Sequence, residues 1–371
     1  MAAGFAQWGN DLYSGKRSYN IVGHRNRWFL FSGALVALAI TFLLARGLNS
    51  GIEFRGGSQF LVSNVSNTSQ QIATDAVIGV ERAAVPLVSL VGGNSVRVQA
   101  GDLTADQVTA VRSALASGYG VATSDVTSTF IGPSWGADVT QKALRGLVIF
   151  LVLVAIVMTL YFRDWRMAVA ALVALGHDLI LTVGVYAAVG FEVTPAGVIG
   201  LLTILGYSIY DTVVVFDKVR ENAAGVADQK RHTYAELANL ALNQTLVRSI
   251  NTSVVALLPV AAILFIGSFL LGAGTLRDIA LALFVGMIAG TFSSIFIATP
   301  LQVALRARER GIAEHTTAVL QRRVAAGVAV TASRVPAAIT VSAAPLHAGG
   351  HLGTAAQPKR KKRRSPGNPK R

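Results

Sequence analysis

The chain has 371 residues, 52% hydrophobic and only 14% charged, with a mean hydropathy of +0.52, which excludes an ordinary soluble globular domain. Its formal net charge of +14 gathers mostly in the C-terminal tail, so it is not the basic face of a folded nucleic-acid-binding domain. No cysteine is present, which excludes disulfides, thiolate metal centres and thiol redox chemistry.

Residues 1–27 carry Lys16, Arg17, Arg25 and Arg27 ahead of an apolar run over 28–45. Further apolar runs fall at 144–161, 168–189, 196–216, 251–271 and 276–300, each near the ~20 residues that cross a bilayer core. The sequence therefore predicts a polytopic α-helical membrane protein with six transmembrane helices. The first run is followed by no small-residue cleavage site and is read as an uncleaved anchor. Short basic loops follow spans two (Arg163, Arg166) and four (Lys218, Arg220, Lys230, Arg231). The long segment 46–141 instead holds five basic and seven acidic residues. The positive-inside rule then places both termini in the cytoplasm and 46–141 on the outer side of the cytoplasmic membrane.

Segment 46–141 has its own pattern. Alternation predicts a strand near 57–66, apolar residues at helical spacing predict a helix over 68–84 started by Thr68 or Ser69, and Gly92, Gly93 and Asn94 join two short strands within 85–99. A second helix opens on a Thr104–Gln107 capping box, and alternation returns over 121–132. The order β-α-β-β-α-β predicts a ferredoxin-like α+β domain between helices one and two. Helices two to six then occupy 142–303. The tail, 304–371, begins by continuing the last helix through Arg306, Arg308 and Arg310. It ends in the Lys359–Arg364 basic cluster, and its composition predicts disorder from about 325. Anionic lipid is the expected contact of that cluster, with no specific nucleic acid.

One acid stands out. Asp211 lies in an apolar helix, about 10 Å inside its basic end by helical rise, where a charged side chain costs roughly 2.5–3.5 kcal/mol on insertion scales. Arg248, in the next apolar segment, is its expected partner. Two readings of the pair stay open: a protonatable site coupled to an ion gradient, or a static ion pair joining spans four and five. Ser208 is a candidate donor to the acid, and Asn251 and Thr252 are candidates to support the arginine. His177 and Asp178 sit mid-span in helix three, either as a proton relay or as polar packing. Gly286 and Gly290 form a small-xxx-small face in span six, and Gly206 thins span four. Pro259 permits a kink in span five. Glu53 and Arg55 read as a structural pair on an extended segment. Neither a phosphate-binding loop nor a nucleophile motif occurs, no metal-ligand spacing is present, and neither enzyme activity nor a cofactor is expected.

Several of these stretches resemble one family. Gly51–Gly57 (GIEFRGG), Ala174–Ala187 (ALGHDLILTVGVYA), Leu205–Asn222 (LGYSIYDTVVVFDKVREN), Leu246–Ser253 (LVRSINTS) and Gly286–Leu301 (GMIAGTFSSIFIATPL) are similar, in order and spacing, to the SecD/SecF family of bacterial protein-export subunits. The fourth-span stretch is closest to the SecF branch, and the long basic tail suggests an actinobacterial source. The resemblance covers roughly residues 20–305. It implies a six-span unit of the resistance–nodulation–division superfamily that works with SecD beside the SecYEG channel. On that pathway SecA also acts, and the proton-motive force helps draw preproteins outward. It further implies that Asp211 and Arg248 are the proton-coupling residues. A proton-coupled half-transporter for lipids or small molecules is the competing expectation. It is disfavoured by an external segment too small to build a substrate funnel.

Overall fold

The computed structural model describes residues 2–91, 93–267 and 274–326. The basic cluster at Lys359–Arg364, and the disorder expected beyond about 325, fall almost entirely outside the described residues.

Six helices among the described residues are long and apolar enough to cross a membrane. In chain order these are α2 (Arg25–Arg46), α6 (Pro133–Phe162), α7 (Trp165–Val189), α8 (Pro195–Asn222), α9 (Tyr234–Ala262) and α10 (Gly274–Ser293), the last prolonged through a π-turn at Ser294–Ala298 into α11 (Thr299–Arg306). A further helix, α1 (Ala2–Tyr13), precedes the first span and α12 (Arg310–Ala325) follows the last. The last helix therefore does not run on through Arg310. It ends at Arg306, where Asp164 and Glu309 draw the arginine aside at 3.1 and 3.7 Å.

Span five begins well before its apolar run. Thr233 and Glu236 close a capping box, so α9 starts at Tyr234, and Asn239 and Asn243 occupy its early turns. Their amides hold the backbone of Tyr19 and Val22, at 2.7–3.1 Å, which fixes the approach to span one. Pro259 stays within α9, and a π-turn follows at Ile263–Gly267. The buried hydrophobic residues Phe162, Met167, Val215, Phe216, Leu242 and Ala298 join the spans into one core.

Between α2 and α6 lies a four-stranded sheet. Its chain order is β2 (Gly57–Val62), α4 (Gln70–Val80), β3 (Leu87–Leu90), β4 (Val96–Ala100), α5 (Ala105–Tyr119) and β5 (Val126–Ile131). The spatial order is β3-β4-β2-β5 with antiparallel neighbours throughout, Phe60 standing opposite both Val98 and Ser128. Period-two burial puts Phe60 and Val62 beneath Val77 of α4 and Val111 and Leu115 of α5, all fully buried. The Thr104–Gln107 capping box is present. Ser69 occupies the cap position of α4, yet its side chain makes no capping bond.

The sheet meets the spans through elements too short to show a period. β1 (Asn49–Ser50) pairs in parallel with β6 (Glu192–Val193), and Gly51–Arg55 opens as the helical turn α3 (Ile52–Arg55). Glu53 and Arg55 are therefore not partners on an extended strand. Arg55 instead donates to Leu48 O at 3.1 Å. Glu192 is the tie: Gln99 of β4 donates to its Oε1 at 2.6 Å, and Arg97 stands 3.8 Å from Oε2.

Burial raises the Glu192 carboxyl above the ordinary glutamate range, aided by the charge of Glu53 and opposed by Gln99 and Arg97. A released Glu192 regains its ordinary value, so docking takes up a proton. Docking is then strongest below the ordinary glutamate range and weakens as pH rises through the raised value. In this cysteine-free chain, spin labels at Val85 and Val189 should report a docked fraction that grows on acidification, and Glu192→Gln should stay docked throughout. A wild-type distance distribution unchanged across pH 4–8 would refute the tie's dependence on that proton.

Candidate intramembrane carboxylate site

Helix α8 begins at Pro195, whose missing N–H costs nothing in the first turn, and Thr194 accepts the Gly197 N–H at 3.1 Å. Four turns further on, the helix buries Asp211 to 4% exposure. A carboxylate so placed needs donors. Ser249 of α9 donates to Oδ1 at 2.7 Å, and Ser294, at the start of the π-turn, donates to Oδ2 at 2.5 Å. Each carboxyl oxygen thus has a hydroxyl donor from a different part of the bundle.

Arg248 is not the partner. It is exposed on α9, and its neighbour Ser249 faces the acid instead. Successive helical residues diverge by about 100°, so one position decides which side chain reaches in. Asn251 is likewise exposed and Thr252 half-buried, and neither meets Asp211. Ser208 is buried, but it serves a different acid.

That acid is Asp178. At 1% exposure, it receives Ser208 Oγ at 2.6 Å and Ser293 Oγ at 2.8 Å on Oδ2, while His177 Nδ1 lies 3.1 Å from Oδ1. The remaining ring nitrogen of His177, Nε2, is buried without a hydrogen-bond partner, and the ring lies 6.3 Å from that of Phe292. Three helices, α7, α8 and α10, thus converge on Asp178, and another three, α8, α9 and α10, on Asp211. A third polar contact links α8, α9 and α10: Tyr207 donates to Ser253 at 3.2 Å, and Thr291 donates to the same hydroxyl at 2.7 Å.

Glycine makes these approaches possible. A Cβ on Gly286 would lie 2.6 Å from Ile204, and one on Gly290 would lie 3.0 Å from Ser208 Cβ. At Gly206 it would meet nothing within 4 Å, so that glycine does not mediate close packing; Gly200, 2.9 Å from Ala282 by the same measure, does. Ser249, Ser293 and Ser294 escaped sequence reasoning. Their signal was present as polar residues in otherwise apolar spans, but serine is tolerated in membrane helices and so draws little notice.

The geometry sits within a recognisable lineage. A family profile described as "Protein export membrane protein SecD/SecF, C-terminal" matches residues 111–308. The chain is 48% identical over 316 residues to the protein translocase subunit SecF of Streptomyces coelicolor, an alignment covering 85% of this chain and 84% of that one. The chain belongs to the SecD/SecF family. Its match to SecF of Mycobacterium tuberculosis H37Rv, also actinobacterial, is 45% identical over 84% of this chain and 72% of the relative. A crystal structure of SecDF from Thermus thermophilus, described as a translocon-associated membrane protein, superposes with a TM-score of 0.67 at 32% identity. That match covers 79% of this chain but 39% of the SecDF chain, so this family member spans about two fifths of the fused protein.

Two glycine substitutions separate close packing from mere helix thinning. Gly290→Ala should displace Ser208 from Asp178 and destabilise the protein by about 1–3 kcal/mol, as overpacking does. Gly206→Ala, which meets nothing within 4 Å, should be neutral to stabilising by up to about 1 kcal/mol. Thermal unfolding of the purified protein in detergent would rank them.

Proposed function

We propose that this chain is the SecF half of a proton-driven protein-export unit, working with SecD to promote translocation of preproteins across the cytoplasmic membrane. The observation that carries the reading is Asp211, a carboxylate buried in a membrane helix with hydroxyl donors on both oxygens. One charge crossing 100 mV is worth about 2.3 kcal/mol, enough to bias a two-state element nearly 50-fold. A site that accepts and releases a proton within such a helix bundle is a direct way to use that energy.

In this reading both termini are cytoplasmic, in keeping with the basic loops. The sheet with its two helices is a ferredoxin-like domain on the outer side, where it meets the emerging preprotein. Arg248 belongs to the proton-coupling machinery through the face it presents away from this chain, toward SecD. Fused relatives such as the SecDF of Thermus thermophilus support SecD as the second half. The SecYEG channel, with SecA on the same pathway, is the proposed site of action. His177 and Asp178 form a second polar centre that either relays protons or fixes the helices. The Lys359–Arg364 cluster is proposed to rest on anionic lipid, each basic residue contributing about 1 kcal/mol.

The deciding experiment is secretion of a reporter precursor in cells depleted of this protein. Asp211→Asn, inserted and assembled at wild-type levels, should fail to rescue secretion. Full rescue would make the acid structural and sink the proton-coupled reading.

A further inference from the structure

Asp178 and Asp211 lie on different helices, yet on α10 they are served by consecutive residues. Ser293 Oγ reaches Asp178 at 2.8 Å and Ser294 Oγ reaches Asp211 at 2.5 Å. Each serine also stands near a main-chain carbonyl three residues earlier: Ser293 at 3.2 Å from Gly290 O, Ser294 at 3.1 Å from Thr291 O. A hydroxyl owns one proton and two lone pairs, so it can donate to only one of these acceptors at a time.

That restriction makes the serine sensitive to the acid. While the carboxyl is ionised it can only accept, and the hydroxyl proton is committed to it. When the carboxyl is protonated on Oδ2 and gives that single proton to the α10-side serine, the serine's own proton is free for the carbonyl, while the acid's other partners keep donating to it. Serine bonds of this back-bonding kind alter and bend helices. Here they fall where α10 gives way to the π-turn Ser294–Ala298, a kind of irregularity frequent at functional sites.

We propose that Ser293 and Ser294 are positioning residues that convert the protonation of Asp178 and Asp211 into a change of backbone hydrogen bonding at the α-to-π step of α10. Ser208 and Ser249 cannot do this jointly, because each serves one acid from a separate helix. The other titratable group facing an acid is His177 on α7, at Asp178; Tyr207, one turn before Asp211 on α8, donates to Ser253 instead. Among the described residues, no lysine or arginine forms an ion pair with either acid. The inference deepens the proton-coupling reading of Asp211 and rests on it.

The test uses the full chain reconstituted in lipid bilayers, with pH-difference infrared spectra in which Asp178→Asn and Asp211→Asn assign the protonated carboxyl bands. Ser294→Ala should move the Asp211 band to higher wavenumber and leave the Asp178 band in place. Ser293→Ala should do the reverse, and the threonine variants, which keep the hydroxyl, should hold both bands. Should Ser294→Ala fail to insert, Ser294→Cys, a weaker donor, should give a smaller shift in the same direction. Amide exchange over 290–298, corrected for the intrinsic effect of pH, should differ between the two protonation states by roughly fivefold, the equivalent of one ordinary hydrogen bond. That difference should shrink in the Ser293→Ala, Ser294→Ala double variant. Bands that ignore the alanines, or an exchange difference that survives the double variant, would overturn the proposal even if Asp211→Asn abolishes secretion. A crossed pattern beside normal secretion by Asp211→Asn would uphold the serine switch and remove its link to export.

Discussion

A carboxylate drawn into a bilayer must be neutralised, paired or given donors, and Asp211 is given donors. Ser249 and Ser294 come from two other helices, so the acid is satisfied only when α8, α9 and α10 are together. Asp178 sets the same condition on α7, α8 and α10 through Ser208 and Ser293. Hydrocarbon gives apolar helices little reason to prefer each other over lipid, so such polar contacts and close van der Waals fit are what specify the arrangement. Fit is supplied at Gly200, Gly286 and Gly290, where a Cβ would collide with the facing helix. Helices α8 and α10 thus form the centre of the bundle because both contribute to each acid's site and between them carry all three glycines.

Each end of that centre is tied to something outside the membrane. At the sheet end, Glu192 stands two residues before Thr194, the cap of α8, and receives Gln99 from the sheet. At the opposite end, Arg323 of α12 grips Glu236 with two bonds of 2.6 and 2.8 Å, just where α9 begins. Such bidentate geometry is specific in direction as well as strong. The helix that carries Asp211 and the helix that carries Ser249 are therefore tied at opposite ends, and Asn222 of α8 donates directly to Gln244 of α9 at 2.9 Å.

The spans, the strand order and the isolated acid were readable because each rests on a repeating signal: long apolar runs, period-two alternation, or one charge against a hydrocarbon background. Asp211 needed nothing more than its surroundings. Its partners were not readable, since Arg248 and Ser249 differ by one position and hydropathy does not give helical phase. Ser208 shows the same gap: a residue one turn from Asp211 on the same helix bonds across to α7 instead. The start of α9 was hidden by Asn239 and Asn243, which lower the apolar average while holding the chain before span one. Elements such as β1, β6 and α3 are too short for any period, and only tertiary contact reveals them.

The choice of hydroxyls over a guanidinium has a physical consequence. A buried ion pair is strongly destabilised when either charge is removed, by about 3–5 kcal/mol, because the survivor has no substitute partner. An arginine can only donate, so it suits an ionised acid and opposes a protonated one. A serine can donate to the carboxylate and accept from the carboxylic acid, so both states of Asp211 keep partners without stranding a charge. With Arg248 exposed on α9 and outside this shell, the hydrogen bonds of Asp211 come from hydroxyls that suit either protonation state, and no permanent charge of this chain is stranded beside it.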